Sequence, residues 1–265
     1  MRKRLFLNLI SVFIVALTAA AALVLQTSAA AVDYGLDVGG KRVTSDRLSG
    51  EGWKFEPDTN TLTLNGFISD VADKATFMKY DKKTHVYYYA FIRVENSMNL
   101  NIKLEGKEST IGDPYISGHA AERIGNTDSY NTFYGIYNPN GNVTVTGSAR
   151  LKVYTNLRGI SASKLTMDGC TGGIMMGAYT NCIDVQRLIV KGGTKINATC
   201  GYGGAMKLMY NTPIHASKSI DIYDTSEVYS EIERDNDTDD YGISGIYCDG
   251  TINVYGGKLT AISYA

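Results

Sequence analysis

The chain has 265 residues, 26 of them basic and 27 acidic, for a formal charge of −1. That balance argues against a nucleic-acid partner, whose phosphates require a basic surface. No long single-sign block and no Pro-rich tract marks a flexible linker or tail.

Arg2, Lys3 and Arg4 precede Leu5 to Leu25, an uncharged run interrupted only by Asn8, Ser11 and Thr18. Gln26-Thr27-Ser28-Ala29-Ala30-Ala31 then places small residues where a signal peptidase needs them. This order of parts is read as an export signal over residues 1–31, removed after Ala29, Ala30 or Ala31. A retained membrane anchor is the alternative, because the apolar run is long enough to cross a bilayer. In either case the chain from about Val32 onward lies outside the cytoplasmic membrane. Removal of the leader takes the formal charge from −1 to −4 with the loss of Arg2, Lys3 and Arg4, and leaves no membrane segment.

Residues 32–89 read as cap strands that lead into a repeat. Gly35 to Thr44 and Gly52 to Leu64 are hairpin-like, with a turn at Asp58-Thr59-Asn60 after Pro57, and Trp53 with Phe55 is expected to plug the end of the core. The repeat occupies residues 90–265, with insertions expected near 105–133 and 224–240. Tyr134-Gly135-Ile136-Tyr137, Asn142 to Gly147 and Leu151-Lys152-Val153-Tyr154 make one unit; Arg158-Gly159-Ile160-Ser161 with Lys164 to Gly169 opens the next. Asn181-Cys182-Ile183-Asp184 and Arg187 to Gly193 open a third. Val145 to Met167 is 22 residues and Met167 to Val190 is 23, a spacing that fits one turn of a stacked repeat. Six units are visible.

Within each unit an alternating strand sends Val143 and Val145, Leu165 and Met167, Leu188 and Val190, Ile220 and Ile222, or Ile252 and Val254 to one face. Strands stacked at about 4.8 Å would merge these residues into one core. Glycines at the corners, including Gly147, Gly169, Gly192, Gly193, Gly256 and Gly257, suit backbone angles that other residues resist. The expected fold is therefore all-β: a right-handed, single-stranded parallel β-helix with an N-terminal β cap.

The Tyr34 to Ser45 segment, the Gly52 to Leu64 segment and the later Gly-Ile-Tyr units resemble a group of secreted or surface proteins of anaerobic Firmicutes. These are usually uncharacterised or labelled as containing a carbohydrate-binding domain. The resemblance spans most of residues 34–262. It implies a pectate-lyase-like β-helix, and it supplies no catalytic motif to carry onto this chain.

With the alternating strands in register, Thr144, Thr166, Ile189, Asp221 and Asn253 form one outward column, and Thr146, Asp168, Lys191, Tyr223 and Tyr255 form the next. Tyr223 and Tyr255 are the candidate platform for a sugar face, with Asp221 and Asn253 as hydrogen-bond partners. Tyrosine is also a good strand former, which needs no ligand. The aromatic run Tyr87-Tyr88-Tyr89-Ala90-Phe91 must send about half of its rings into core or cap packing.

Asp235, Asp237, Asp239 and Asp240, preceded by Glu231 and Glu233, form the candidate calcium loop. It lacks the central Gly and final Glu of an EF-hand, and a solvated acidic loop reads equally well. Cys170, Cys182, Cys200 and Cys248 permit two disulfides in three pairings, or four packed thiols. His85, His119 and His215 lack neighbours at metal-ligand spacing, His215 being read in a turn after Pro213.

The expected role is carbohydrate binding or adhesion without catalysis, by a secreted or cell-surface protein with a polysaccharide or surface glycan as partner. One alternative is a calcium-assisted lyase or a glycoside hydrolase acting on acidic glycans. Asn126-Thr127-Asp128, Gly118-His119 and Asp239-Asp240 do not follow a polygalacturonase order, so no catalytic residue is named. An acidic polymer would require Arg93, Lys103, Lys152, Lys191, Lys195 and Lys207 to converge. The other alternative is a purely structural surface solenoid.

Overall fold

The computed structural model describes residues 30–69, 74–113, 122–123, 130–178, 180–200, 212–232 and 244–263. Strands β1 (Asp33–Val38) and β2 (Lys41–Thr44) form a hairpin, and β3 (Ser49–Gly50), β4 (Trp53–Glu56) and β5 (Thr61–Leu64) an antiparallel meander. After β6 (Ile68–Ser69), a second hairpin joins β7 (Thr76–Asp81) to β8 (Val86–Val94). The chain continues through β9 (Leu100–Leu104), β10 (Ser109–Gly112), β11 (Glu122–Arg123), β12 (Tyr130–Gly147), β13 (Leu151–Thr155), β14 (Arg158–Asp168) and β15 (Ile174–Ala178). It ends with β16 (Asn181–Lys191), β17 (Lys195–Cys200), β18 (Ile214–Tyr223), β19 (Glu227–Ile232), β20 (Ile246–Cys248), β21 (Thr251–Tyr255) and β22 (Lys258–Ile262). Among the described residues the fold is all-β, with a short helical turn at Pro57–Thr59.

Two sheets hold these strands. The larger has 15 strands and the smaller runs β22-β19-β17-β15-β13-β10-β6, with parallel pairing throughout the smaller one. The chain passes from the larger sheet to the smaller and back, moving one strand along each ladder at every pass. Strands β12, β14, β16 and β18 are long enough to pair in two stretches. The first half of β12 pairs with β8 and its second half with β9, and β18 likewise pairs with β20 and then β21. The larger sheet therefore has two parallel arms, separated in the β12–β14 and β16–β18 pairs by register shifts at Asn138/Asn142 and Val185/Arg187.

Register explains the core. Val145 pairs with Met167 and Met167 with Val190, and Val143, Leu165, Leu188 and Ile220 lie in the adjoining inward row. Ile92, Ile136, Ile160, Ile183 and Ile214 form a third row in the first arm, and all of these are buried. Burying each such side chain contributes about 1.5–3 kcal/mol. From the smaller sheet, Leu151, Val153, Ile174, Met176, Ile196 and Ala198 close the interior. Trp53 and Phe55 are buried in the same cluster.

The antiparallel strands flank these ladders. Arg42 on β2 binds Asp33 at 2.7 Å, Asp37 at 3.2 Å and Glu95 at 2.6 Å, fastening the first hairpin to the chain that follows β8. Arg93 joins the cluster through Glu95 at 2.8 Å. Burial pushes the Asp37 carboxyl above the usual carboxylate range despite Arg42 and Arg93, whereas the Arg42 hydrogen bond holds Asp33 below it.

Several expectations differ in detail. Ser109–Gly112 and Glu227–Ile232, read within insertions, are regular strands of the smaller sheet. They are short and send Ser109 or Ser230 inward among the aliphatic residues, which weakens their apolar alternation. His215 lies on β18, with Pro213 just before the strand, where a missing N–H is tolerated. Gly147 has φ 114, but Gly257 is not in the left-handed region; its constraint is space, since a Cβ would lie 2.5 Å from Ile222.

Candidate binding surface

The outward side chains of the second arm fall into the expected columns. Thr144, Thr166, Ile189, Asp221 and Asn253 are successive partners, and Tyr223 pairs with Tyr255. The two tyrosine rings stack with centroids 4.9 Å apart and planes 18° from parallel. Stacking occupies one face of each ring. Tyr255 lies on β21, whose strand partner is β18, and is 55% exposed. Two residues away, Asn253 Nδ2 donates to Asp221 Oδ1 at 2.7 Å and Ser219 Oγ donates to Asp221 Oδ2 at 2.9 Å. Tyr223, Tyr255, Asp221 and Asn253 are thus brought together.

The first arm carries a column that the strand alternation did not reveal. Arg93, Tyr137, Ser161, Asp184, His215 and Tyr247 are successive partners across β8, β12, β14, β16, β18 and β20, a length of about 24 Å at 4.8 Å per strand. Each follows the inward Ile of its unit, from the buried Ile92 to the partly buried Ile246, and that offset is the signal that could have found them.

Asp184 is the hub of this column. Its Oδ2 meets Arg158 Nη1 at 2.6 Å, and its Oδ1 meets His215 Nδ1 at 2.6 Å. A carboxylate at that distance fixes a hydrogen on Nδ1. Nε2 faces Asp249 at 3.8 Å. The His215 ring stacks with Tyr247 at 5.6 Å and 30°, and Tyr247 is 45% exposed on its edge strand.

At the opposite end Tyr137 meets Tyr134 edge-on at 4.8 Å, and Tyr134 lies 6.5 Å from Tyr88, whose ring carries the Lys79 ammonium at 4.7 Å. Burial pushes the Tyr134 hydroxyl up to about 12. An open depression of about 300 Å³ lies beside Tyr137, lined by Arg93, Glu95, Asn96, Asn138 and Pro139 among others. The aromatic run of β8 divides as its alternation requires: Tyr88 joins this outer surface, while Tyr89 stacks on Phe133 at 5.3 Å.

The candidate calcium residues Asp235, Asp237, Asp239 and Asp240 lie outside the described residues, as do Glu233, His119 and the Asn126-Thr127-Asp128 segment. Glu231 accepts a hydrogen bond from Tyr229 at 2.6 Å. Among the described residues no group of three or more His, Cys, Asp or Glu is arranged to hold a metal.

Among the described residues, each cation considered for an acidic polymer sits against a carboxylate. Arg93 pairs with Glu95, Lys103 with Glu105, Lys152 with Glu108 at 2.7 Å, Lys191 with Asp168 at 3.0 Å and Lys195 with Glu227 at 3.2 Å. Lys207 lies outside the described residues. No protein family, no curated protein and no solved structure matches this chain.

Proposed function

We propose that the chain is an exported, right-handed parallel β-helix with an N-terminal β cap, and that it binds carbohydrate without acting on it chemically. The coil reading is supported by a chain that alternates between two parallel ladders and advances one strand per pass. The right-handed sense follows the general crossover preference of parallel strands. Export is supported by the charged, apolar and small-residue order of residues 1–31, and the resemblance of the Tyr34 to Ser45 and Gly52 to Leu64 segments to secreted or surface proteins agrees with it.

One observation carries the binding reading. On a single turn of chain, β20 and β21 each carry an exposed tyrosine stacked on the ring of its strand partner, Tyr247 on His215 and Tyr255 on Tyr223. Each has polar groups two residues away, Asp249 in one case and Asn253 with its Asp221 contact in the other. The exposed Tyr255 ring beside fixed hydrogen-bonding groups suits a pyranose ring, whose faces are apolar and whose rim is hydroxylated.

The test is a glycan array probed with the wild-type protein and with Tyr247→Ala and Tyr255→Ala, with and without calcium, followed by product analysis of every bound glycan. Binding of a defined set of glycans, weakened about tenfold by at least one variant and leaving the glycans uncleaved, is expected; tenfold corresponds to about 1.4 kcal/mol. Flat binding under every condition would favour a purely structural surface role. Calcium-dependent cleavage would make the chain a polysaccharide-degrading enzyme.

A further inference from the structure

We infer that the ligand is an acidic polysaccharide, and that its anionic groups are held by Lys164, Arg187 and Lys218 along the seam between the two arms of the larger sheet. This rests on the carbohydrate-binding reading and adds to it the class of sugar and the place where its charges bind.

The seam repeats one chemistry on successive strands. Ser163-Lys164 on β14, Gln186-Arg187 on β16 and Ser217-Lys218 on β18 each put an uncharged polar residue and a cation where the arms meet. Lys164 pairs with Arg187 and Arg187 with Ser219, and the extra residue of β18 sets Ser217 and Lys218 opposite Gln186. Leu165, Leu188 and Ile220 follow Lys164, Arg187 and Ser219 and are buried, so those three face outward. Gln186, Arg187, Ser217 and Lys218 are exposed, and Lys164 is half-buried. At about 4.8 Å per strand the row of cations spans about 10 Å. It is bounded by Asn142 on β12 and by Asp249, which follows β20.

Charge is the second argument. Like charges directly opposite on neighbouring strands destabilise a sheet. At two other places such positions are matched, Asp168 with Lys191 at 3.0 Å and Lys195 with Glu227 at 3.2 Å, each pair in register. Lys164 and Arg187 are register partners of the same sign. Among the described residues no carboxylate forms an ion pair with Lys164, Arg187 or Lys218. The carboxylates closest in sequence are engaged elsewhere, Asp184 with Arg158 and His215, and Asp221 with Ser219 and Asn253. A bound anion relieves the repulsion that the fold leaves standing, and a polyanion relieves it at all three cations together.

The third argument is fit. A pyranose is about as long as one strand spacing, so a polymer with acidic groups on successive sugars meets the cations in turn as it crosses the strands. The Arg187 guanidinium carries a fork of N–H donors that matches a carboxylate or a sulfate, and the exposed Gln186 and Ser217 both donate and accept, as sugar hydroxyls do. With a formal charge of −1 the chain as a whole does not attract polyanions, so the attraction is local to this row.

The experiment measures binding of the whole protein to acidic polysaccharides (polygalacturonate, alginate and chondroitin sulfate), to neutral ones (soluble β-glucan, mannan and xylan) and to single-stranded DNA, at low and high salt. Two triple variants remove equal charge. One is Lys164→Gln with Arg187→Gln and Lys218→Gln; the other is Lys103→Gln with Lys152→Gln and Lys195→Gln, three cations already paired with carboxylates. At least one acidic polysaccharide should bind, weaken about tenfold or more from low to high salt, and weaken about tenfold or more in the seam variant but less than about twofold in the paired-cation variant. The seam variant should melt no lower than wild type, because it removes a like-charge pair. Binding confined to neutral polysaccharides and indifferent to the seam variant would overturn the inference while leaving carbohydrate binding intact. Equal losses of acidic binding in the two triple variants would overturn the placement. DNA bound as tightly as the best acidic polysaccharide would overturn the choice of a sugar polymer. Absence of binding to all six polysaccharides would overturn both the inference and the reading beneath it.

Discussion

The sulfurs of Cys182 and Cys200 face each other at 4.0 Å, one at the start of β16 and the other at the end of β17. Each thiol also donates to a backbone carbonyl next to the other in sequence or space, Cys182 to Thr199 at 3.3 Å and Cys200 to Thr180 at 3.1 Å. Joining them requires the sulfurs to close to the bonding distance of about 2.0 Å. Thiol–disulfide exchange with oxidised glutathione is expected to join this pair, releasing two reduced glutathione molecules and removing two hydrogens from the chain. Peptide mapping after alkylation under denaturing conditions checks it: Cys170 and Cys248 should be alkylated, and Cys182 and Cys200 recovered as one linked species. Full alkylation of all four would refute the pairing.

Cys170 should behave differently, because burial pushes its thiol up to about 11. Its sulfur donates to the Val145 carbonyl at 3.3 Å, and its backbone N–H is bound by Thr194. The folded chain therefore keeps a proton that the unfolded chain releases near 9.0. Stability from this group is complete below the unfolded value and is lost as pH rises from there through about 11, a loss of about 2–3 kcal/mol. Tyr134, raised to about 12, adds a loss of the same sign at still higher pH. Urea denaturation across the alkaline range should show wild type losing stability faster than Cys170→Ala, and native Cys170 should resist maleimide near neutral pH.

The second-arm columns were legible because Val143, Leu165, Leu188 and Ile220 recur with strict alternation and similar spacing, so one register aligns every outward neighbour. That alone placed Tyr223 beside Tyr255. The first arm was harder to read, because Gly135 and Gly159 interrupt its alternation, and a Cβ at either would collide with backbone of the next strand. His215 was obscured by Pro213, a residue that signals a turn but here precedes a strand. The partnership of Arg158, Asp184 and His215 joins residues 26 and 31 positions apart, visible only once each Gly-Ile unit is aligned on its isoleucine. The smaller sheet hid for another reason: Ser109-Thr110-Ile111-Gly112 offers one large apolar residue to the core.

Gly112 tests that sheet directly. It has φ +79, and a Cβ placed on it would lie 1.6 Å from the Tyr154 carbonyl oxygen on β13. Gly169 has a similar φ of +68 but nothing within 4 Å of its Cβ position. Gly169→Ala therefore bears only the left-handed backbone penalty, about 1–2 kcal/mol. Gly112→Ala must also move backbone in a ladder pair, which should bring the loss to about 3 kcal/mol or more. Chemical denaturation of the two variants in parallel separates strain from collision; equal losses would show that β10 and β13 are not packed this closely.

Arg42 and Asp37 give the last prediction, in which two substitutions within one ion cluster have opposite consequences. Arg42→Met leaves Asp33, Asp37 and Glu95 without their shared cation, and Asp37 is buried. A fully buried pair broken this way costs about 3–5 kcal/mol, and the partial exposure of Arg42 lowers the expectation to about 2 kcal/mol. Asp37→Asn keeps the shape and an acceptor for Arg42 while removing a charge that burial disfavours. Because the folded Asp37 carboxyl lies above its ordinary value of 3.8, its favourable contribution is complete below that value and is lost as pH rises through the raised one. Asp37→Asn should therefore equal or exceed wild type in stability at neutral pH, and that difference should shrink towards zero on acidification below the ordinary carboxylate value. Urea denaturation of both proteins at neutral and acidic pH checks it. A neutral-pH loss from Asp37→Asn as large as that from Arg42→Met would show that the ion pair outweighs the burial of the carboxylate.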